Sequence, residues 1–290
     1  MRRYLLIINP RAGRAKDIED ELIDFFGRNG IRLDVRNTCR PLDAKRLARA
    51  AVRKYSVVIA AGGDGTINET INGLAGSKTK LGIIPLGTEN CLAQGIGIPQ
   101  GYMDAAKVIV RGRCRSLDLG KAKKRFFILT AGVGMDANAV ASIKPVLKKL
   151  LGRGVYPLTA LQTLLTHVPS KLEVWLDDQV LPRWGYFVVI GNVKYYGNNF
   201  QIAQYAEPDD GYLDVCIFKR TDLINMFKYF VSAASKGFIP LTEFANLEYF
   251  KVKRIRIKSK KPVLAHTDAE LIGRTPLTVS VFPKAIRIIC

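Results

Sequence analysis

Long apolar runs are missing from this chain of 290 residues. No stretch of about 18 uninterrupted apolar residues occurs, so the sequence predicts no membrane-spanning helix. The apolar residues 4–8 follow two arginines and resemble the start of a secretory signal peptide. They are too few for one, and Asn9 and Pro10 end the run, so we interpret them as a first strand.

Cysteine and histidine are also scarce. The five cysteines lie far apart and form no Cys-x-x-Cys pair, and the only histidines are the isolated His167 and His266. This pattern disfavours a disulfide framework and a zinc site, and it favours a reducing compartment. We therefore predict a cytoplasmic location.

Acidic residues are too few to balance the basic ones. The chain has 45 basic and 25 acidic residues, which gives a net charge of +20. Such an excess predicts an anionic partner, either nucleic acid or an anionic membrane surface, although it can also serve solubility alone. The sequence contains no nucleic-acid-binding motif, so we expect peripheral contact with a membrane and no nucleic acid. The oligomeric state stays open, a homodimer included.

Residues 62–74, Gly-Gly-Asp-Gly-Thr-Ile-Asn-Glu-Thr-Ile-Asn-Gly-Leu, are the most informative stretch. They follow the apolar run 57–61, which predicts a buried strand, a glycine turn and a helix start. Amides at such a helix start favour an anion, and Asp64 beside a phosphate would suit a divalent cation. The alternatives are a tight turn in which Asp64 bonds its own backbone and a Thr66–Glu69 capping box that needs no ligand.

Two further polar, glycine-bearing turns accompany this one. Residues 9–13 follow the first predicted strand, and residues 85–90 follow the apolar run 81–84. In an open parallel sheet, such turns gather at the carboxyl edge of the strands, where ligands bind. The three turns together therefore predict one site for a nucleotide and its metal.

The three motifs resemble the ordered signature of the diacylglycerol kinase catalytic domain, whose superfamily includes bacterial soluble lipid kinases and sphingosine kinases. They are Asn-Pro-x-Ala-Gly, Gly-Gly-Asp-Gly-Thr-x-Asn-Glu and Pro-x-Gly-Thr-x-Asn. The resemblance continues through shorter motifs at 118–120, 131–137, 210–214 and 268–270. Two positions differ from the usual pattern: Cys91 replaces an aspartate of the bacterial lipid kinases, and Ala269 replaces the glycine of Asp-Gly-Glu.

The order of the predicted elements changes near residue 118. From 1 to 117, strands alternate with helical patterns at 17–29, 42–55 and 102–111, which predicts a doubly wound parallel α/β domain for the nucleotide. From 118 to 290, a mainly antiparallel β-sandwich or barrel is expected to hold the lipid substrate. Its predicted strands are 125–130, 171–176, 186–190, 212–218, 252–258 and 277–282. The resemblance implies an active site in the cleft between the domains and suggests a return of the last strand to the first domain.

Two helical segments interrupt the β region. In residues 143–168, leucines recur at helical spacing beside Lys144, Lys148, Lys149 and Arg153, so this stripe is either a core face or a membrane-facing surface. The second segment, 222–238, is rich in Leu, Ile, Phe and Met, and we assign it mostly to packing.

The resemblance also implies roles for individual residues. Asp64 and Glu270 match catalytic positions, with Glu270 as the general base, and Asp118 and Asp136 match acidic positions near the cleft. Asp210 matches a structural magnesium site that uses backbone carbonyls near Glu207 and Tyr212, although Asp210-Gly211 can equally be a hairpin turn. The expected nucleotide contacts are Asn9, Thr38, Gly63, Asp64, Gly65, Thr66, Ile67, Asn68, Glu69 and Thr88.

These expectations define an ATP- and Mg²⁺-dependent lipid kinase that transfers the γ-phosphoryl group to a lipid hydroxyl. The lipid would be diacylglycerol-like or sphingoid-like. Two alternatives stay open. NAD kinase shares Gly-Gly-Asp-Gly-Thr, and a nucleotide- or lipid-binding protein with weakened catalysis would fit Cys91 and Ala269.

Overall fold

The computed structural model describes residues 2–13, 15–135, 137–138, 169–196, 200–235 and 239–290. The chain forms two units: Met1–Leu119 together with Phe282–Cys290, and Gly120–Val281. The leucine stripe predicted at 143–168 and the candidate residue Asp136 lie outside the described residues.

The first unit is built on a parallel sheet. The strand order is β2-β1-β3-β4, and the end of β18 pairs with β4 in parallel through Arg287 and Ile288. All six residues of β3 are buried, as expected for a strand covered on both faces. The bounds of these strands are β1 Arg2–Ile8, β2 Ile31–Asn37, β3 Val57–Gly62, β4 Lys80–Pro85 and β18 Leu277–Ile289.

Five described helices belong to the first unit. The second is shorter than its sequence pattern predicts, because it ends at Ala51 and not at Tyr55. Its buried face consists of small residues, Ala44, Ala48 and Ala51, which allow close packing. The helices are α1 Ala15–Arg28, α2 Asp43–Ala51, α3 Asp64–Leu74, α4 Cys91–Gly95 and α5 Tyr102–Arg111.

The second unit is mainly antiparallel β structure. One sheet has the order β14-β13-β10-β7-β16-β17, and the first residues of β18 continue antiparallel through β15 and β8 to β9. Strand β5, Cys114–Ala122, begins in the first unit and ends in the second. The other strands of the second unit are β6 Arg125–Phe127, β7 Thr130–Val133, β8 Leu172–Leu176, β9 Arg183–Gly185, β10 Phe187–Gly191, β11 Tyr195–Tyr196, β12 Phe200–Gln201, β13 Leu213–Phe218, β14 Leu247–Val252, β15 Arg254–Ser259, β16 Leu264–Thr267 and β17 Glu270–Arg274.

One hydrophobic core joins the two sheets of this unit. Val174 and Ile255 come from one sheet, Val188 and Val215 come from the other, and all four are fully buried in the same cluster. Two sheets that share a core form a sandwich. The predicted combination of an α/β domain and an antiparallel β-sandwich is therefore confirmed.

Helix α6, Leu223–Ala234, packs against the sandwich mainly by one face. Tyr229 is buried against Phe187, Phe218 and Leu247, whereas large apolar side chains on the opposite face are exposed. The assignment of this segment to packing thus holds for half of the helix. Within the described part of the chain, no helix has both the length and the apolar character needed to cross a membrane.

Candidate active site

Loops follow the carboxyl ends of three neighbouring parallel strands in the first unit. The register pairs Ile8 with Ala61 and Gly62 with Pro85, so β1, β3 and β4 end at the same level. The loop after β4 is joined to the end of β3 by the Leu86 amide, which donates to the Gly62 carbonyl at 2.9 Å. The three glycine-bearing turns therefore meet at one sheet edge, as the sequence predicts.

Glycine lets these loops touch each other. A Cβ on Gly13 would lie 2.7 Å from the carbonyl oxygen of Leu86, and a Cβ on Gly87 would lie 2.6 Å from the Cα of Gly63. Gly13 also has a φ of +49°, which larger residues rarely adopt. The backbones consequently pack without side chains between them, which fixes the loops relative to one another.

Helix α3 begins at this edge without a side-chain cap. Gly63 is the N-cap residue, and the Ile67 amide is bonded to its carbonyl at 3.1 Å. A Cβ on Gly65 would meet nothing within 4 Å, so open space adjoins the first turn. Backbone amides at a helix start attract an anion, and here a phosphate has room to approach them.

Asp64 connects this helix start to the loop after β4. Its Oδ2 accepts a hydrogen bond from the Cys91 amide at 3.2 Å, and its Oδ1 accepts one from the Leu92 amide at 3.4 Å. Asp64 therefore satisfies two amides at the start of α4, which is a structural role in addition to any catalytic one. Its side chain is only half-buried, so a ligand can still approach the carboxylate.

Cys91 occupies an acid-rich corner of the site. Its Sγ donates to Oε2 of Glu89 at 3.6 Å. Burial, reinforced by the charges of Asp64 and Glu89, raises the pKa of the Cys91 thiol far above its ordinary value, so the thiol stays protonated. The carboxylates of Asp64 and Glu89 thus both approach Cys91, and carboxylate oxygens are the donors that magnesium prefers.

The alternative interpretation of Thr66 and Glu69 as a capping box does not hold. Neither side chain caps α3; the carboxylate of Glu69 instead accepts the amides of Leu42 at 2.8 Å and Ala44 at 3.2 Å. Glu69 therefore satisfies the start of α2. Leu42 is the N-cap residue of α2 and its own side chain makes no cap hydrogen bond, so Glu69 supplies the acceptor from a distant part of the chain.

The other predicted nucleotide contacts are placed around the same edge with different exposure. The Nδ2 of Asn9 lies 3.4 Å from the Oγ1 of Thr66, and Thr38 follows β2 with its amide bonded to Ile8. Thr88 is exposed in the loop after β4. The side chains of Ile67 and Asn68 are buried, so only their backbone could face a ligand.

Asn90 was not among the predicted site residues. It is buried with a φ of +51°, its Oδ1 accepts the Gly87 amide at 2.8 Å, and its Nδ2 donates to the Gly87 carbonyl and to Gln100. These bonds hold the loop after β4 in place. Asn90 is the last residue of the Pro-x-Gly-Thr-x-Asn motif, and this motif was the sequence signal for its role.

Glu270 lies in the second unit, at the start of β17. Its Oε2 is 2.5 Å from an Nη atom of Arg125, and its side chain is about half exposed. The residues before it form a two-residue turn in which Asp268 and Ala269 both have positive φ, +47° and +59°. This is the turn type that favours glycine, so Ala269 is held in a conformation that its Cβ disfavours.

The carboxylate of Asp268 anchors this turn. It accepts three backbone amides, from Ile128, Leu129 and Thr130, at 2.9 to 3.0 Å. Burial raises the pKa of Asp268 to about 6, although these hydrogen bonds oppose the shift. Asp268 thereby fixes the hairpin that carries Glu270, and the Asp-x-Glu motif was its only signal in the sequence.

Asp118 is a buried acid of the first unit. Its Oδ1 accepts the amide of Lys284 at 2.7 Å, so it binds the returning strand β18. This contact gives Asp118 a structural role. Asp136, the second acid expected near the cleft, is outside the described residues.

The carboxylate of Asp210, expected to bind magnesium, is next to an ammonium group. Its Oδ2 lies 2.6 Å from Nζ of Lys251, its Oδ1 accepts the amide of Tyr212, and its own amide donates to the Glu207 carbonyl at 3.5 Å. Among the described residues, no group of three or more His, Cys, Asp or Glu side chains could hold a metal ion. In this arrangement the carboxylate of Asp210 pairs with Lys251, and the magnesium site with backbone carbonyls near Glu207 and Tyr212 stays a prediction.

Comparisons with known proteins agree with this architecture. The family model "Diacylglycerol kinase catalytic domain" matches residues 3–122, and "YegS C-terminal NAD kinase beta sandwich-like domain" matches residues 129–290. A diacylglycerol kinase of Bacillus subtilis (strain 168) is 29% identical over 282 residues, which cover 95% of this chain and 92% of that protein. One from Staphylococcus aureus (strain Newman) is 29% identical over 281 residues, covering 95% of this chain and 88% of its own.

Solved structures show the same fold. A crystal structure from Bacillus anthracis str. Sterne, described as a candidate diacylglycerol kinase, superposes with a TM-score of 0.83 at 26% identity. The match covers 99% of this chain and 97% of that one. The resemblance inferred from the motifs is confirmed: this chain belongs to the lipid kinase family that combines a diacylglycerol kinase catalytic domain with a YegS-type C-terminal β-sandwich-like domain.

Proposed function

We propose that this protein is an ATP-dependent lipid kinase that transfers the γ-phosphoryl group to a lipid hydroxyl. The observation that carries the proposal is the uncapped start of α3, with open space beside Gly65 and two further loops packed against it. A kinase needs such fixed anion-binding amides, because phosphoryl transfer depends mainly on positioning and charge stabilisation.

Backbone groups would do most of the nucleotide binding. The amides of the first turn of α3 would bind phosphate oxygens, with Asn9, Thr38 and Thr88 at the rim of the same sheet edge. Magnesium bound with the nucleotide would neutralise charge on the phosphates, and Asp64 and Glu89 are the carboxylates whose chemistry fits that ion. Asp64 would then organise the reacting phosphate while it retains its contact with α4.

Glu270 would be the general base that removes a proton from the lipid hydroxyl. Its half exposure leaves it open to a substrate, and Asp268 keeps its hairpin in one position. We propose a diacylglycerol-like or sphingoid-like acceptor. The net charge of +20 would favour peripheral association with anionic membranes, where such lipids reside.

Radiolabelled ATP tests the proposal directly. The purified protein is incubated with γ-labelled ATP and, separately, with a diacylglycerol, a sphingoid base and NAD. Label in a lipid product supports the proposal. Label in NADP would identify a NAD kinase, and ATP binding without any labelled product would identify a protein with weakened catalysis.

A pair of glycine substitutions tests the placement of the phosphate. Gly65→Val fills the open space beside α3, so ATP affinity should fall by about tenfold or more while the fold is kept. Gly27→Val is the matched control, because a Cβ there also meets nothing within 4 Å but lies on the distant helix α1. Equal ATP affinity in the two variants would contradict the proposal that the start of α3 binds a phosphate.

A further inference from the structure

Helix α6 carries an exposed apolar face. Ile224, Phe227 and Val231 follow one another at helical spacing with exposed fractions of 69, 66 and 37%. Phe230 beside them is 44% exposed, and its ring contacts that of Phe200 on β12 with the ring centroids 5.2 Å apart. Single exposed apolar residues are ordinary, but a contiguous group on one helix face marks an interaction surface. We call these four residues the outer face of α6.

The opposite face of the helix already has its packing partners. The ring of Tyr229 lies edge-on to Phe218 with ring centroids 5.0 Å apart, and its hydroxyl donates to the Asn246 carbonyl. Ser232 is also buried, and its hydroxyl donates to the Ile239 carbonyl at 2.6 Å. The helix is therefore held in one orientation, with its outer face turned away from this core.

The charges around the outer face are basic. Lys228 is exposed between Phe227 and Val231, and the exposed Arg220 precedes the helix, whereas Lys219 pairs with Glu248. Residues 223–235 contain no acidic side chain. The nearest acid, Asp222, caps the helix by accepting the Asn225 amide at 3.1 Å. Apolar side chains with basic neighbours form the pattern of a helix that lies in a membrane interface.

We propose that the outer face of α6 docks onto a membrane containing anionic lipid, with the helix lying in the plane of the interface. Ile224, Phe227, Phe230 and Val231 insert among the acyl chains near the headgroups, and Lys228 contacts anionic headgroups. The inference rests on the proposed lipid kinase function, since docking there serves to bring the enzyme to a substrate that resides in the bilayer.

Charge favours a membrane over a second copy of the chain. A symmetric dimer through this face would bring the two Lys228 side chains into the same interface, on proteins that each carry a charge of +20. An anionic lipid surface instead attracts both the local lysine and the whole molecule.

Vesicle co-sedimentation without nucleotide tests the docking. Wild type and Ile224→Gln/Phe227→Gln are compared on phosphatidylcholine vesicles with and without 30% phosphatidylserine, a composition chosen at about the level of an anionic leaflet. The matched control is Val180→Gln/Leu181→Gln, because these apolar residues are also exposed but lie in the turn between β8 and β9 and not on α6. Circular dichroism checks that each variant is folded.

We expect wild type and the control to bind anionic vesicles, and the α6 variant to bind about tenfold more weakly or worse. Lys228→Gln should weaken binding to anionic vesicles without changing the weak binding to neutral ones. An α6 variant that binds as wild type does overturns the proposal, and so does an equal loss in the control. A wild-type dimer in sedimentation that the α6 substitutions dissolve would overturn it in favour of self-association.

A separate assay distinguishes failure of the proposed membrane docking from failure of the proposed lipid kinase function. Phosphorylation of a short-chain, water-dispersed diacylglycerol requires no membrane. The α6 variant should keep wild-type turnover on that substrate and lose turnover only on vesicle-borne lipid. Absence of turnover in wild type on both substrates would contradict the kinase function for diacylglycerol, while the vesicle-binding result would still decide the docking.

Discussion

The Asp64 carboxylate accepts the backbone amide of Cys91 at 3.2 Å, so one side chain links the start of α3 to the start of α4. A residue in this position can serve both the fold and the reaction. The two roles can be separated, because an asparagine keeps an oxygen for one of the two amides but carries no charge.

We predict that Asp64→Asn lowers kcat by more than about 100-fold, because a charged group that acts on the reacting phosphate is lost. The free energy of unfolding should fall by about 1 to 3 kcal/mol, since the asparagine oxygen can accept only one of the two amides and leaves the other without its acceptor. Asp104→Asn, which removes an exposed carboxylate beside Lys107, is the control. Steady-state kinetics measure kcat, and denaturant unfolding measures the free energy of unfolding. A near-normal kcat in folded Asp64→Asn would exclude the catalytic role of Asp64.

Glu270→Gln should also lower kcat by about 100-fold or more, as expected for loss of a general base. The partner substitution Arg125→Gln removes the same ion pair but keeps the carboxylate, so turnover should stay within about tenfold of wild type. Stability should change by only about 1 kcal/mol in either variant, because the Glu270 end of the ion pair is open to solvent. An equal loss of turnover in both would mean that the ion pair, and not the base, matters.

Ala269→Gly should raise the free energy of unfolding by about 1 kcal/mol. Ala269 has a φ of +59°, where a Cβ is unfavourable and glycine is not. Ala50→Gly is the control with the opposite expected effect. Ala50 lies within α2, so this substitution should lower the free energy of unfolding by about 1 kcal/mol. Denaturant unfolding of the two variants checks the prediction, and destabilisation by Ala269→Gly would show that the turn needs the methyl group.

Asp214 should make stability depend on pH. It is buried on β13, its Oδ1 accepts the Tyr249 hydroxyl at 2.7 Å, and its Oδ2 has no hydrogen-bond partner. Burial raises the pKa of Asp214 from 3.8 to about 6. Between these values the folded state holds a proton that the unfolded state has released, so this contribution to stability decreases as pH rises.

The measurement is the difference in unfolding free energy between wild type and Asp214→Asn. It should decrease by about 1 to 3 kcal/mol from pH 4 to pH 7 and stay constant above that range. Other titrating groups, including Asp268, are present in both proteins and cancel. Parallel stability curves would show that Asp214 does not titrate in this range.

Local sequence patterns predicted the elements but not every partner. The runs 4–8 and 57–61 are apolar throughout and end in glycine-bearing turns, which is enough to place β1, β3 and their loops. Glu69 shows the limit. Its spacing from Thr66 fits a capping box, yet its carboxylate binds amides of α2 that are 25 to 27 residues away in the chain.

Helix α6 shows a second limit. Its composition predicts burial, because apolar residues occur on all sides of the helix, and composition does not tell which side meets the sandwich. The contacts of Tyr229 and Ser232 decide that orientation. Asp268 is similar: its role depends on the amides of residues 128–130, about 140 positions away in the chain.

The return of β18 has a consequence for biosynthesis. Arg287 and Ile288 pair with Lys80 and Leu81, and the Ala285 carbonyl accepts the Gly76 amide at 2.8 Å. On the ribosome, the first unit cannot complete its sheet until the whole sandwich has been translated. Until then the edge of β4 lacks its neighbour and is exposed to association with other chains. A fragment that ends near residue 122 should therefore aggregate, even though it contains every loop of the proposed nucleotide site.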